Sequence, residues 1–411
     1  MKVGIICIGD ELINGYTKDT NSSFISYQLR IYKNLNVCNV FIVGDDYMQI
    51  SKNIDYFLKN KIDYIFITGG LGPTHDDLTK KVLCQHFNCK LKVNDDHYEK
   101  LLKKFSNKNL KHVKSQAEIL DISKPLLNDM GTALPMYFKY KKSSFFILPG
   151  VPSEVKSIMN NDIIPNYIKP YFHVNKNHLT ILTAGIYESS LYAKLKTIIK
   201  KYNNKIKVAF LPGYSGVKIR LTAVGELVSN NDFLKFRQQI ESKIKEFVYG
   251  YNDDKLNEVL GEVLIENKKT LAVAESCTGG YLSKIITDIP GSSMYYKGGI
   301  VAYDNDIKIN MLNVKNSIIS KYGAVSRQVA SVMSENIRKK YKSDYGISTT
   351  GISGPGGGSD KKPVGLIYIS ISSKFETITK KFIFSKDRNI NRTIAVFVCL
   401  FILKNMVVIK K

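Results

Sequence analysis

Three short apolar runs, Val3 to Ile8, Val37 to Val43 and Tyr64 to Thr68, alternate with stretches of helical period at Asn21 to Ile31 and Met48 to Leu58. Nothing else in the chain restricts its fold as tightly. Strands that are apolar throughout must be covered on both faces, and helices between them supply the cover. The pattern predicts an α/β domain over residues 1–170, a doubly wound and mostly parallel sheet. Ligands of such a sheet bind beyond the carboxyl ends of its strands. Polar loops fall at those ends: Gly9-Asp10-Glu11-Leu12, Gly44-Asp45-Asp46, and Gly69-Gly70-Leu71-Gly72-Pro73-Thr74-His75-Asp76-Asp77. In the last, Gly69, Gly70 and Gly72 let the backbone pass close to a phosphate, and Thr74 can donate to it. Asp76 and Asp77 either cap the helix that begins near Leu78 or hold a divalent cation.

Residues 171–250 read differently. Strands at Leu179 to Leu182, Val208 to Leu211 and Val217 to Ala223, with helical periods at Ser189 to Ile199 and Asp232 to Phe247, predict a small α+β connecting domain without a catalytic constellation. Tyr249 to Lys255, with one glycine, one asparagine and two aspartates, is the natural linker to the last domain, 255–411.

That last domain holds the most informative stretch. An apolar strand, Leu271 to Ala274, runs into Glu275-Ser276-Cys277-Thr278-Gly279-Gly280. A serine where a buried strand turns into a helix stands at the sheet edge beside unpaired N–H groups, an arrangement able to build a nucleophile with an oxyanion hole. It also reads as a simple helix cap. Downstream, Tyr303 ends a strand and Lys308 follows in a helix, so both can face one cleft. With no histidine near, a Ser276 nucleophile needs another base, which Lys308 supplies only if burial lowers its pKa, with Tyr303 as hydroxyl relay. Each taken alone is equally an aromatic strand end and a solvated lysine. Gly351-Ile352-Ser353-Gly354-Pro355-Gly356-Gly357-Gly358-Ser359 has neither the Gly-Lys-Ser/Thr of a P-loop nor a following helix, yet its glycines suit a cradle of N–H groups for a phosphate. Arg388 and Arg392, one turn apart, can clamp that phosphate or merely carry surface charge.

Composition narrows the classes. The 411 residues carry a formal charge of +24, but the lysines are scattered among asparagine and isoleucine with no basic block, so specific nucleic-acid binding is not expected. Six cysteines form no Cys-x-x-Cys pair and read as reduced thiols of a cytoplasmic protein. The N-terminal apolar run lacks the features of a signal peptide, and the apolar run from Ile394 to Leu403 is well short of the ~20 residues that span a bilayer, so no membrane partner is expected.

The motifs, taken in order, resemble one family. Gly9-Asp10-Glu11-Leu12, Thr20-Asn21-Ser22, Gly44-Asp45-Asp46, Thr68-Gly69-Gly70-Leu71-Gly72-Pro73-Thr74 with Asp76-Asp77 and Thr79, and Leu148-Pro149-Gly150-Val151-Pro152-Ser153-Glu154 are similar to the N-terminal, molybdopterin-binding-like domain of CinA (competence/damage-inducible) proteins. Ala274-Glu275-Ser276-Cys277-Thr278-Gly279-Gly280, Gly298-Gly299-Ile300-Val301-Ala302-Tyr303-x-Asn305-x-x-Lys308, Gly323-Ala324-Val325-Ser326 and the 351–358 loop are similar to the C-terminal domain of the same family. The resemblance implies two hydrolytic activities and a homodimer. The C-terminal domain is expected to convert nicotinamide mononucleotide to nicotinic acid mononucleotide and ammonia, with Ser276, Tyr303 and Lys308 matching its nucleophile and proton-transfer partners. Backbone at Cys277, Thr278 and Gly279 would bind the oxyanion, and Gly354, Gly356, Gly357, Arg388 and Arg392 are the phosphate donors inferred beside it. The N-terminal domain is expected to be an ADP-ribose pyrophosphatase that requires a divalent metal ion, with Asp45, Asp76 or Asp77 to bind that metal or orient water. One segment departs from the family: Gly131-Thr132-Ala133-Leu134-Pro135-Met136 lacks the expected glycine after the proline. The competing readings are a pterin- or nucleotide-binding module without turnover and a competence-linked interaction protein.

Overall fold

The computed structural model describes residues 1–74, 77–105, 110–174, 178–224 and 228–408. The chain divides into two compact units, Met1–Asn175 and Lys176–Lys411.

The first unit is built on a six-stranded sheet ordered Asn36–Val43, Lys2–Ile8, Tyr64–Thr68, Ser143–Leu148, Met136–Tyr140, Lys124–Pro125. The first four strands are parallel and the last two antiparallel. Alternate residues of the central strands supply separate cores on the two faces, as a doubly wound sheet requires. Ile6, Ile65, Ile67 and Phe145 pack with Ile50, Ile54 and Val82 of the helices Tyr47–Lys59 and Thr79–Phe87. On the other face Ile5, Phe66 and Phe146 pack with Ile25, Leu29, Val155 and Ile158. Gly4 lets the Phe57 ring lie on the first strand, since a Cβ there would sit 2.6 Å from it.

The second unit contains two sheets. Ile206–Gly213, Gly216–Ala223, His178–Thr183 and Val248–Tyr251 form an antiparallel sheet in that order, covered on one face by Glu188–Lys201 and Asn230–Ile244. The other sheet runs Tyr296–Val301, Leu271–Glu275, Tyr345–Gly351, Leu366–Ser372, Thr377–Ile383, with the first three strands parallel. Of the expected linker at 249–255, the first three residues complete the strand Val248–Tyr251, and 252–255 form the turn that follows, in which Asp254 accepts the Tyr251 N–H at 2.7 Å. Leu182, Ala184 and Tyr249 of the smaller sheet share a core with Leu256, Leu260, Leu400 and Phe401, so 178–250 and 255–408 pack as one body.

The final helix, Arg388–Val408, is longer than its apolar run suggested, and its length and composition would suffice to cross a membrane. Half of its most apolar window is buried, with Ala395, Val396, Cys399 and Leu403 packed among Leu264, Val273, Ile367 and Ile369. Here it is a core helix.

Candidate active site

The strand Leu271–Glu275 is buried throughout and is flanked by parallel neighbours, so its carboxyl end delivers Ser276 to the edge where three strands stop. The Ser276 N–H donates to the Thr349 carbonyl at 3.0 Å, and the Gly279 N–H closes the turn onto the Ser276 carbonyl at 3.1 Å. Gly279 and Gly280 take φ of +58° and +89°, a left-handed pair that reverses the chain before the helix Tyr281–Thr287. The buried Glu275 carboxylate holds that helix in place, accepting from the Leu282 N–H (2.9 Å), the Ser283 N–H (2.8 Å) and the Ser283 hydroxyl (2.6 Å).

Thr278 is pinned from two sides. Its hydroxyl pairs with that of Thr349 at 2.7 Å, and its carbonyl accepts from Arg392 Nε and Nη2 at 3.1 and 2.8 Å. The turn bond spends the Gly279 N–H, so that group is not an oxyanion donor; the Thr278 and Gly280 N–H groups make no hydrogen bond among the described residues. Cys277 is enclosed, and burial pushes its thiol up to about 12, which removes it as a rival nucleophile at neutral pH. The Ser276 side chain is nearly enclosed and its hydroxyl bonds to neither Lys308 nor Tyr303.

Lys308 sits in the first turn of Asn305–Leu312, a helix capped by Asp304 through the Asp306 N–H at 2.7 Å. It is buried, and burial lowers its pKa against the opposing charge of Asp304. Its Nζ donates to the carbonyls of Tyr303 (3.0 Å) and Asp304 (3.3 Å). The expected relay between Lys308 and the Tyr303 hydroxyl is therefore not formed: that hydroxyl is exposed and accepts from Arg388 Nη2 at 2.8 Å. Arg388 Nη1 also donates to the Gly354 carbonyl at 3.0 Å, tying the glycine loop to Tyr303. Neither arginine is an idle surface charge.

Sequence reasoning missed three supports of this site. Thr349 and Glu275 hold the Ser276 turn, and Asn391, fully buried, donates to the carbonyls of Ser353 and Ser385 at 2.9 Å each, anchoring the glycine loop to the last helix. Paired threonines at the end of an apolar strand and an asparagine between two arginines were the available signals. Within the loop, Gly354 has φ of +90° and a Cβ there would meet Val364 at 2.7 Å. Gly356 faces open space, and the N–H groups of Gly356, Gly357 and Gly358 make no hydrogen bond among the described residues.

In the first unit the glycine loop is braced differently from expectation. Asp77 does not cap the helix Thr79–Phe87, whose N-cap is Leu78; its carboxylate accepts from the N–H groups of Gly72 and Thr74 (2.8 Å each) and from the Thr74 hydroxyl (2.6 Å). Thr74 is thus spent on the loop. Gly69 and Gly70, at φ of +103° and +64°, pass so close to Ile8 and Thr79 that a Cβ would lie within 2.3 Å of them, and the Thr79 hydroxyl donates to the Gly69 carbonyl. Asp45 and Asp10 exchange backbone-to-carboxylate bonds at 3.0 and 3.1 Å. Burial raises the Asp45 pKa against the lowering effect of the Asp10 N–H it accepts from, and the charges of Asp10, Glu11 and Asp77 raise it further. Asp76 lies outside the described residues. Among the described residues no three His, Cys, Asp or Glu side chains converge as a metal group, so Asp45 and Asp77 do not form a ready metal cage. Met136, standing where a glycine was expected, is buried in the core beside Leu134 and Ile147.

Together these features define a multidomain α/β protein with a glycine loop at the mouth of its first sheet and a serine turn at the mouth of its last. Residues 253–407 match the "CinA C-terminal domain", residues 4–169 the "Probable molybdopterin binding domain" and residues 178–250 the "Damage-inducible protein CinA KH domain". A CinA-like protein of Flavobacterium psychrophilum is 38% identical over 395 residues, with 94% of each chain covered, and one of Thermotoga maritima is 36% identical over 401 residues, with 95% covered. The chain belongs to the CinA family. The crystal structure of a competence/damage inducible protein from Agrobacterium tumefaciens is 33% identical and covers 36% of this chain and 94% of its own, with a TM-score of 0.35.

Proposed function

We propose that the C-terminal domain hydrolyses the carboxamide of nicotinamide mononucleotide to nicotinic acid mononucleotide and ammonia. The observation that carries this reading is a serine at a strand-to-helix turn, its hydroxyl without a hydrogen bond among the described residues, with a buried lysine, its pKa lowered by desolvation, near the adjoining Cys277. Neutral Lys308, released from its two carbonyls, takes the Ser276 proton as Oγ attacks the amide carbon. The N–H groups of Thr278 and Gly280 are the donors left for the oxyanion. Collapse of the adduct breaks the C–N bond, the lysine returns the proton to departing ammonia, and water then cleaves the acyl-serine by the same route. The unbonded N–H groups of Gly356 to Gly358 face the phosphate. Arg392 positions the turn by holding Thr278, and Arg388 positions Tyr303 and Gly354. Ammonia release by the wild type and by Ser276→Ala tests the reading: turnover must be robust in the first and absent in the second.

A pyrophosphatase acting on ADP-ribose is the reading for the N-terminal domain. It is supported by the gathered charge of Asp10, Glu11 and Asp45 beside the 69–77 loop. A divalent cation, expected from the resemblance, would fall to Asp45 rather than to Asp77, whose carboxylate is bonded to the loop, and would neutralise charge on the diphosphate. Turnover that depends on added Mg2+ and falls in Asp45→Asn supports this activity; nucleotide binding without hydrolysis supports the binding-module alternative. The enzyme acts as a cytoplasmic homodimer in this reading, and six unpaired cysteines support a reducing compartment.

A further inference from the structure

Away from Ser276, the C-terminal domain has a cleft of about 470 Å3 between the helix Asn316–Tyr322, the start of the helix Arg327–Lys340 and the edge strand Thr377–Ile383. That volume suits a small ligand. Its lining is two-sided in chemistry. Ile318, Tyr322 and Val332 form an apolar wall, and Arg327 stands at the rim. Arg327 donates from Nη1 to the Thr379 carbonyl and forms no ion pair with a carboxylate among the described residues, which leaves most of its five N–H donors unused. Positive charge is concentrated around Tyr322: Lys321 lies 5.3 Å from its ring centroid, and Lys362 donates to its carbonyl at 2.8 Å.

The opposite end is closed to anions. The hydroxyls of Ser331 and Thr377 lie within hydrogen-bond reach of Glu335 Oε1, at 3.3 and 3.1 Å, so a carboxylate stands behind that end and disfavours an anion there. Arg327, Ser331 and Glu335 recur every four residues on one helix face, which places the cation and the carboxylate about 12 Å apart. A ligand is thereby oriented, with its anionic group toward Arg327. The wall is also held in advance: Thr350 donates to the Ala324 carbonyl at 2.9 Å, and Ser326 caps the helix through the Val329 N–H at 3.3 Å.

We propose that this cleft is a second binding site, for a small aromatic anion whose ring lies against Tyr322, Ile318 and Val332 and whose carboxylate or phosphate meets Arg327. The site uses no residue of the amidase chemistry. Calorimetry on the full chain with adenosine 5′-monophosphate and with nicotinate, beside their neutral counterparts adenosine and nicotinamide, distinguishes a nucleotide from an aryl carboxylate. Hydrogen exchange locates the binding. At least one anionic probe is expected to bind saturably, to slow exchange in residues 316–332, to lose at least tenfold in affinity in Arg327→Ala and to recover part of it in Arg327→Lys. Equal affinity for the neutral counterparts, protection confined to residues 276–280 and 351–358, no binding of either anion, or unchanged affinity in Arg327→Ala would each overturn the proposal.

Discussion

Lys308 keeps its Nζ against two carbonyls inside a turn, and that placement yields a pH dependence for the proposed amide hydrolysis. Base catalysis needs the neutral amine, whose fraction grows as pH rises through a pKa that burial has lowered. The rate of amide hydrolysis should therefore climb with pH and level off below the ordinary lysine value of about 10.4. A profile with its midpoint at or above that value would remove Lys308 as the base. Replacing it by alanine should reduce kcat by about a hundredfold or more. Cys277, next to the nucleophile, gives a contrasting expectation: with its thiol held near 12, native enzyme treated with iodoacetamide at pH 7.5 should be labelled at exposed Cys38 and keep its activity. Labelling of Cys277, read by mass spectrometry, would contradict its burial. Thr349→Val strands the enclosed Thr278 hydroxyl and should cost about 1–3 kcal/mol, measured by urea denaturation.

At the level of elements, the strands were readable because apolar runs ending in glycine or acid have few other folds to adopt. The serine turn was readable for the same reason, as a buried strand ending at a hydroxyl. What the strands touch was less open to reading. Asp77 next to a helix start has the same local pattern whether it caps the helix or braces the preceding loop, and only the direction of the Gly72 and Thr74 N–H groups decides. The 249–255 segment reads as a linker in isolation; its first three residues become strand by pairing with residues some seventy positions earlier, and the rest is the turn the glycine and aspartates signalled. Arg392 offered no hint that its partner is a carbonyl 114 residues away. Placement of the glycine loop yields its own prediction. Gly354→Ala puts a methyl group into Val364 at a φ that L-residues rarely adopt, so it should displace the loop and raise KM about tenfold with a smaller change in kcat. An equal fall in kcat with KM unchanged would assign the loop to the chemical step instead.

Across the whole molecule, the smaller sheet of the second unit shares its core with the CinA C-terminal domain through Leu182, Ala184 and Tyr249. A fragment beginning at residue 178 keeps that core, whereas one beginning at 253 uncovers Leu256 and Phe401. The shorter fragment should melt several degrees lower, by calorimetry, since each large side chain uncovered forfeits about 1.5–3 kcal/mol. The final helix carries a further consequence. Its first turn supplies Arg388, Asn391 and Arg392, which fasten Tyr303, Ser353, Gly354 and Thr278, while its remaining turns fill the core. During synthesis the ribosome therefore releases the nucleophile well before the side chains that fix its surroundings. A nascent chain holds its serine turn unfastened until the last helix has emerged, and premature termination within that helix yields a protein able to fold its first sheet yet expected to lack the proposed amide hydrolysis.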